Sequence, residues 1–493
     1  MNELNRARPR HALALAALVL LSGCGGGGSK SDDAPLSAVN DKAAHTDRRI
    51  RAIERTQEAV AAGEIGAPAA RENLKRVAWS RSTFWKVRAS AIDELLKDEA
   101  NAADTRNMLR LMLPTEPASE IVGKITDLAA SGKWTEMSGA LVRRWSKPES
   151  RVSEMERPER AALTKIFPDR AVEDTVFAVF AGRVEGLPEG SLDERTRQDA
   201  WALLRRIDTT GRTRELLASG DASNDELMGV LQRGARDLRV VPETSEELAW
   251  LRRLGAPDRS AFWQECAAAA ARLSDEQTRG LAMRHLGVLR WAAANRSEWL
   301  TMDRAALIAE IERRLEGRPR HWRIGEGSGG GAGGRGESLH RFRDELAWGD
   351  GLAILVGDDV TRAEGVAAAL FEHAERDRKD NSTEYGGNID ADGERVRVDL
   401  FPPRASQRYG DRQFVPSEEM LKAGDTALFH FHFHSTTWKN ADYAGPSDGD
   451  HDSADALGRA CLLFTAIDDN TLGVDYYQRG GATIDLGALK KKR

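Results

Sequence analysis

The chain has little cysteine: three residues in 493, at positions 24, 266 and 461. Thiols so few and so scattered form neither a disulfide framework nor a cysteine-rich zinc ribbon, so any metal must be held by nitrogen and oxygen. Long apolar runs are scarce as well. Only Ala12 to Leu21 is worth considering for the membrane, which excludes a polytopic membrane protein. Excess positive charge is also missing. The formal net charge is −6, and it falls to about −8 without residues 1–23, because Arg6, Arg8 and Arg10 leave with only Glu3. Such a chain has no global pull on nucleic acid, and none is expected as a partner. What is present, 41% hydrophobic and 30% charged residues, is the composition of a soluble globular protein. At about 150 residues per domain the length allows two to four domains.

Arg6, Arg8, Arg10 and His11 precede the apolar run, and Leu21-Ser22-Gly23-Cys24 closes it. Charged, apolar and small-residue segments in that order predict a secretory signal over residues 1–23. The ten apolar residues 12–21 rise only about 15 Å as a helix, roughly half a bilayer core, so a permanent span is not expected. Leu21-Ser22-Gly23-Cys24 resembles the lipobox of bacterial lipoproteins. The resemblance implies cleavage before Cys24, acylation of that cysteine and a location in the cell envelope. Gly25 stands where an Asp would favour inner-membrane retention, so the outer membrane is expected. Residues 24–46, opening with Gly25-Gly26-Gly27-Gly28-Ser29, read as a flexible tether.

Residues 47–322 are rich in Ala, Leu, Arg and Glu, with apolar positions at helical spacing. Phe84, Val87, Ala91 and Leu95 share one face, widened by Ile92. Similar stripes run through Ala200, Leu203, Leu204 and Ile207, through Ala282, Leu286 and Leu289, and through Leu307, Ile308, Ile311 and Leu315. The region is expected to be an all-α array of helical hairpins. The Val-Arg-x-x-Ala-x-x-x-Leu pattern at 87–95 resembles the second helix of a HEAT repeat, which leaves a regular solenoid as one form of that array. His285 and His321 are expected in core or surface roles, and Cys266, followed by the alanine run 267–271, as a buried small residue. Gly325-Glu326-Gly327-Ser328-Gly329-Gly330 satisfies G-x-G-x-x-G in form only. It neither leaves a strand nor opens a helix, so residues 323–337 read as a linker.

Residues 338–493 change pattern to an expected α+β domain. Leu352–Val356 reads as a buried strand, and 361–378 as a helix capped by Thr361. Strands are expected at 395–400, 426–434, 461–467, 473–478 and 483–486, with a helix at 450–459 and a hairpin turn at 390–393. In Phe429-His430-Phe431-His432-Phe433-His434, strand alternation puts the three histidines on one face and the three phenylalanines on the other. Three imidazoles on one face suit a metal. They equally suit a polar face satisfied by neighbouring carboxylates.

Glu384 lies upstream of the histidines, and Ser447-Asp448-Gly449-Asp450 follows them. The order Glu, His-x-His, Ser-x-x-Asp resembles the JAB/MPN (JAMM) metalloprotease family, with a similar order of elements over 338–493. The resemblance implies zinc held by His432, His434 and Asp450, with water in a fourth position. It implies Glu384 as the proton acceptor and Ser447 as the stabiliser of the oxyanion, in hydrolysis of a peptide or isopeptide bond. The chain departs from the family at Ser435, where proline is common, and in the longer 435–446 connection. His430 is left as a further partner of the ligands, a solvated residue or, less readily, a ligand in place of His434. Taken singly, Glu384 is a strand-end carboxylate, Asp450 a helix N-terminal charge and Ser447 the start of a turn. Gly445-Pro446-Ser447-Asp448-Gly449 also matches a nucleophile elbow, but only His451 follows it, which excludes a serine triad. The expected function is a membrane-anchored zinc peptidase or isopeptidase acting on a protein or peptide. The alternative is a catalytically silent lipoprotein scaffold that binds a protein partner through its helices.

Overall fold

The structure, a computed structural model, describes residues 35–184, 194–321, 338–408, 410, 414–435 and 444–491. The signal-like segment, Cys24 and the glycine-rich 323–337 segment lie outside the described residues. The chain divides into two compact units, Met1–Met108 and Leu109–Arg493. Among the described residues, helices fill the chain up to residue 378 and a six-stranded mixed sheet follows, an all-α then α+β layout. No described helix is long and apolar enough to cross a membrane.

In the first unit the expected tether ends early. Pro35–Asn40 and Thr46–Glu54 are helices, and Val39 is buried with its carbonyl accepting from Arg49 Nε at 3.0 Å. One buried valine and one buried guanidinium thus order a stretch whose composition alone reads as flexible. Helices Ala67–Trp79 and Trp85–Leu96 then form a hairpin through Leu74, Val77, Val87, Ala91, Ile92 and Leu95. Phe84, expected on that apolar face, stands outside it. It precedes the first helical turn and is half exposed.

In the second unit the helical array and the sheet are joined, although the sequence predicts separate domains at 47–322 and 338–493. Trp250 and Arg253, on helix Ser245–Leu254, reach the turn before the histidine strand. Trp250 Nε1 donates to Asp425 O at 2.9 Å and Arg253 Nε to Asp425 Oδ2 at 2.6 Å. His285, expected without a partner, is fully buried with Nε2 2.8 Å from Asp350 Oδ1. Since Nδ1 accepts from Ala282 N at 3.0 Å, Nε2 carries the proton. Cys266 is buried, as its sequence context predicts.

The expected strand at Leu352–Val356 is part of helix Trp348–Thr361. Its apolar run is continuous because the helix is buried all round. Gly351 packs toward Leu307 and Ile311 of the array, and Gly357 toward Phe429, Leu462 and Leu486 of the sheet. A run without periodicity cannot separate a buried strand from a helix sandwiched between two layers. Thr361 therefore ends one helix, and the next, Val366–Arg378, starts after Gly365 in a left-handed conformation.

The strands are β1 (Gly386–Asp392), β2 (Arg395–Leu400), β3 (Phe429–His434), β4 (Cys461–Asp468), β5 (Thr471–Tyr477) and β6 (Thr483–Lys490), ordered β2-β1-β3-β4-β5-β6. All neighbours are antiparallel except β3 and β4, which helix Asp448–Leu457 connects. The phenylalanine face of β3 covers helix Trp348–Thr361. On the histidine face, Ala454 of the connecting helix packs with Cys461, Leu463 and Tyr477.

Candidate metal centre

The site lies where the end of β3, the approach to β1 and the start of helix Asp448–Leu457 meet. Antiparallel pairing sets Gly386 opposite His432, so the same register carried two residues outward sets Glu384 opposite His434. Ligand atoms of Glu384, His432 and His434 all lie within 4.8 Å of one another. On the other side, Ser447 caps the helix. Its hydroxyl accepts from Asp450 N at 3.3 Å and donates to Asp450 Oδ2 at 2.8 Å, while its own N–H donates to that oxygen at 2.7 Å. This reciprocal cap is the physical content of the Ser-x-x-Asp spacing, and it fixes the carboxylate beside the imidazoles.

His432 Nε2 lies 3.1 Å from Asp450 Oδ1, and His434 Nε2 lies 3.6 Å from Asp450 Oδ2. The His432 contact is close but not aligned as a hydrogen bond, so its buried Nε2 has no hydrogen-bond partner. The two contacts fall on different oxygens of Asp450, so its carboxylate bridges the two imidazoles. Among the described residues, the group whose ligand atoms gather closely enough to hold a cation is Glu384, His432 and His434, one carboxylate and two imidazoles. Asp450, expected as the third ligand, lies outside that group and contacts both imidazoles instead.

Electrostatics reinforce the pairing. Burial opposes the charged form of His432, but the Asp450 carboxylate outweighs it and raises the imidazole above its ordinary value. Burial likewise opposes ionised Asp450, yet His432, His434 and the Ser447 amide hold it far below the usual carboxylate range. The site thus keeps Asp450 ionised, the form a metal needs.

His430 shares the histidine face but not the cluster. Its Nε2 packs against Gly424, and burial, with the nearby Arg459 charge, pushes the imidazole well below its ordinary value. His451, expected at the surface, is half-buried, with Nε2 3.4 Å from Thr483 Oγ1 and its ring against Tyr477.

Three residues that sequence reasoning missed shape the site. Asp377, buried near the end of helix Val366–Arg378, accepts from Tyr385 N at 2.5 Å and from the Ser435 hydroxyl. It thereby clamps the residues next to Glu384 and His434. The Ser435 hydroxyl is what that clamp uses at the position where the resembled family has proline. Tyr477 Oη lies 3.3 Å from His432 Nδ1, and the Phe414 ring stacks on the His432 ring at 5.5 Å. Nothing in local spacing marks these three, because each arrives from a different element. No family model, curated protein or solved structure matches the chain.

Proposed function

We propose that the sheet domain is a zinc-dependent amide hydrolase of JAB/MPN type. It is carried on a lipoprotein anchored through acylated Cys24 in a bacterial envelope, with the outer membrane favoured, and its HEAT-like helical hairpins present a protein or peptide substrate. The observation that carries this reading is the convergence of His432 Nε2, His434 Nε2 and the Asp450 carboxylate, with Glu384 within the same few ångströms. When bound, zinc would supply Lewis acidity and bring the pKa of a coordinated water toward about 7. His432 and His434 would hold it as neutral imidazoles and Asp450 as a carboxylate. Glu384 would take the proton of the attacking water and return it to the leaving amine. Ser447, whose hydroxyl holds Asp450 in the resting geometry, would stabilise the developing oxyanion by exchanging that bond.

Metal analysis of the purified protein tests the site. About one zinc per chain is expected, and its loss in the His432→Ala/His434→Ala double variant. Glu384→Gln is expected to keep the metal and to lower cleavage of peptide or isopeptide substrates by about 10²–10⁴-fold. A metal-free parent would leave the alternative, a lipoprotein scaffold. A metal-loaded parent inert toward such substrates would retain the site and remove the hydrolase.

A further inference from the structure

The first unit exposes aromatic side chains that its own core does not use. Helices Ala67–Trp79 and Trp85–Leu96 meet in a short turn, held by Thr83 N donating to Ser80 O at 2.9 Å and Thr83 Oγ1 donating to Ser80 Oγ at 3.1 Å. Trp79, at one edge of this turn, is 44% exposed, and Phe84, at the other, is 51% exposed. Trp85 adjoins Phe84 with ring centroids 5.7 Å apart, and Lys86 Nζ sits over the Trp85 ring at 5.6 Å. The hairpin is already packed through Leu74, Val77, Val87, Ile92 and Leu95. The exposed rings therefore contribute surface rather than core.

Along the chain the tip carries basic residues, while Glu54, Asp93 and Glu94 border the groove on the far side of Trp85 and Lys86. Residues 73–92 contain Lys75, Arg76, Arg81, Lys86 and Arg88 and no acidic residue, in a chain whose net charge is −6. Lys75 is engaged with Asp104 and Glu72, and Arg88 is buried with Nε donating to Ala78 O. That leaves exposed Arg76 and Lys86 beside the aromatics. A tryptophan and a phenylalanine set among cations match the headgroup depth of an anionic bilayer, where rings enter the acyl boundary and basic groups meet lipid phosphate.

We propose that the 79–86 hairpin tip is a membrane-contact surface that docks the first unit on anionic lipid. The choice of lipid over an acidic protein surface rests on the lipoprotein reading. Acylated Cys24 leaves ten residues, 25–34, before the first described helix, at most about 35 Å of extended chain. That length holds the hairpin's unit within reach of the bilayer.

The test uses a chain of residues 25–493, which keeps every described element and removes the acylation site. Its partition onto vesicles of phosphatidylcholine with and without phosphatidylglycerol is measured by sedimentation. Binding to the anionic vesicles is expected, weakening as salt rises. The Trp79→Ala/Phe84→Ala variant is expected to bind about tenfold more weakly or less. Arg76→Glu/Lys86→Glu is expected to lose the preference for phosphatidylglycerol. All three proteins should show the same helical circular dichroism. Absence of binding by the parent chain, or equal binding by parent and variants, overturns the proposal. So does concentration-dependent self-association of the parent that the aromatic variant abolishes without any effect on vesicles, which would make the tip a protein interface. Because this chain lacks Cys24, failure here leaves acylation to be judged separately, by mass analysis of the full chain.

Discussion

Tyr477 reaches His432 from two strands away, and the 3.3 Å contact at Nδ1 fixes where Nε2 points. An imidazole held at one nitrogen presents the other in one tautomer and one direction, which is how outer partners tune a metal ligand. Tyr477→Phe keeps the buried ring and removes this contact together with the hydroxyl's contact to the Cys461 thiol. A rise of about tenfold or more in the zinc dissociation constant is expected, measured by competition with a chromophoric chelator. The thermal midpoint of the metal-free protein should be nearly unchanged. Equal affinity would reduce Tyr477 to packing. Asp377 acts on the backbone, since its carboxylate is the acceptor for the Tyr385 amide and the Ser435 hydroxyl. Asp377→Ala leaves a buried hydroxyl and a part-buried amide without that acceptor, so a loss of about 2 kcal/mol in urea unfolding is expected. The candidate ligands were legible because each belongs to a local pattern, alternation for His432 and His434 and a cap for Ser447 and Asp450. Tyr477, Asp377 and Phe414 were not, because their contacts span 45, 58 and 18 residues of sequence.

At the scale of elements, β2 to β6 follow their sequence signals, because each alternates or is bounded by turn residues, whereas β1 was not expected and takes Asp390, Ala391 and Asp392 out of the expected turn into its pairing with β2. The helix Trp348–Thr361 does not follow its signal, since two layers bury it and erase its periodicity. Close approach between layers makes a further prediction. Gly287, on helix Leu286–Asn295, lies so near the strand approach that an added Cβ would meet Ala427 O at 2.2 Å. The neighbour is backbone and cannot turn aside. Gly287→Ala is therefore expected to cost about 3 kcal/mol, read as a lower denaturation midpoint with an unchanged slope. An unchanged midpoint would mean that the helix can shift away from the strand without penalty.

Across the second unit, one buried carboxylate ties stability to pH. Glu247 lies under Gly458, where the helix carrying Asp450 ends, and its Oε2 accepts from Glu243 N. Burial, opposed by that amide, pushes its pKa up from the ordinary 4.5 to about 7. The folded state then holds the proton more tightly than the unfolded chain between those values, so stability falls as pH rises from 4.5 to 7, by about 3 kcal/mol in all. Glu247→Gln is expected to flatten that part of the profile, checked by thermal midpoints of parent and variant between pH 5 and pH 8. Parallel profiles would show that Glu247 is ionised in the fold.

The sequence by itself determined which side chains share a face and which helix is capped by Ser447, because both follow from backbone period and contacts three residues apart. It determined the change from helices to sheet for the same reason. Only the tertiary structure decided that β1 pairs with β3 in the register that brings Glu384 to His434. It also decided that His430, on the same face, packs under Gly424, and that the sheet joins the helical array through Asp425. Those outcomes depend on which distant surfaces meet. That is settled by burial summed over the whole unit, a quantity no local stretch of the chain contains.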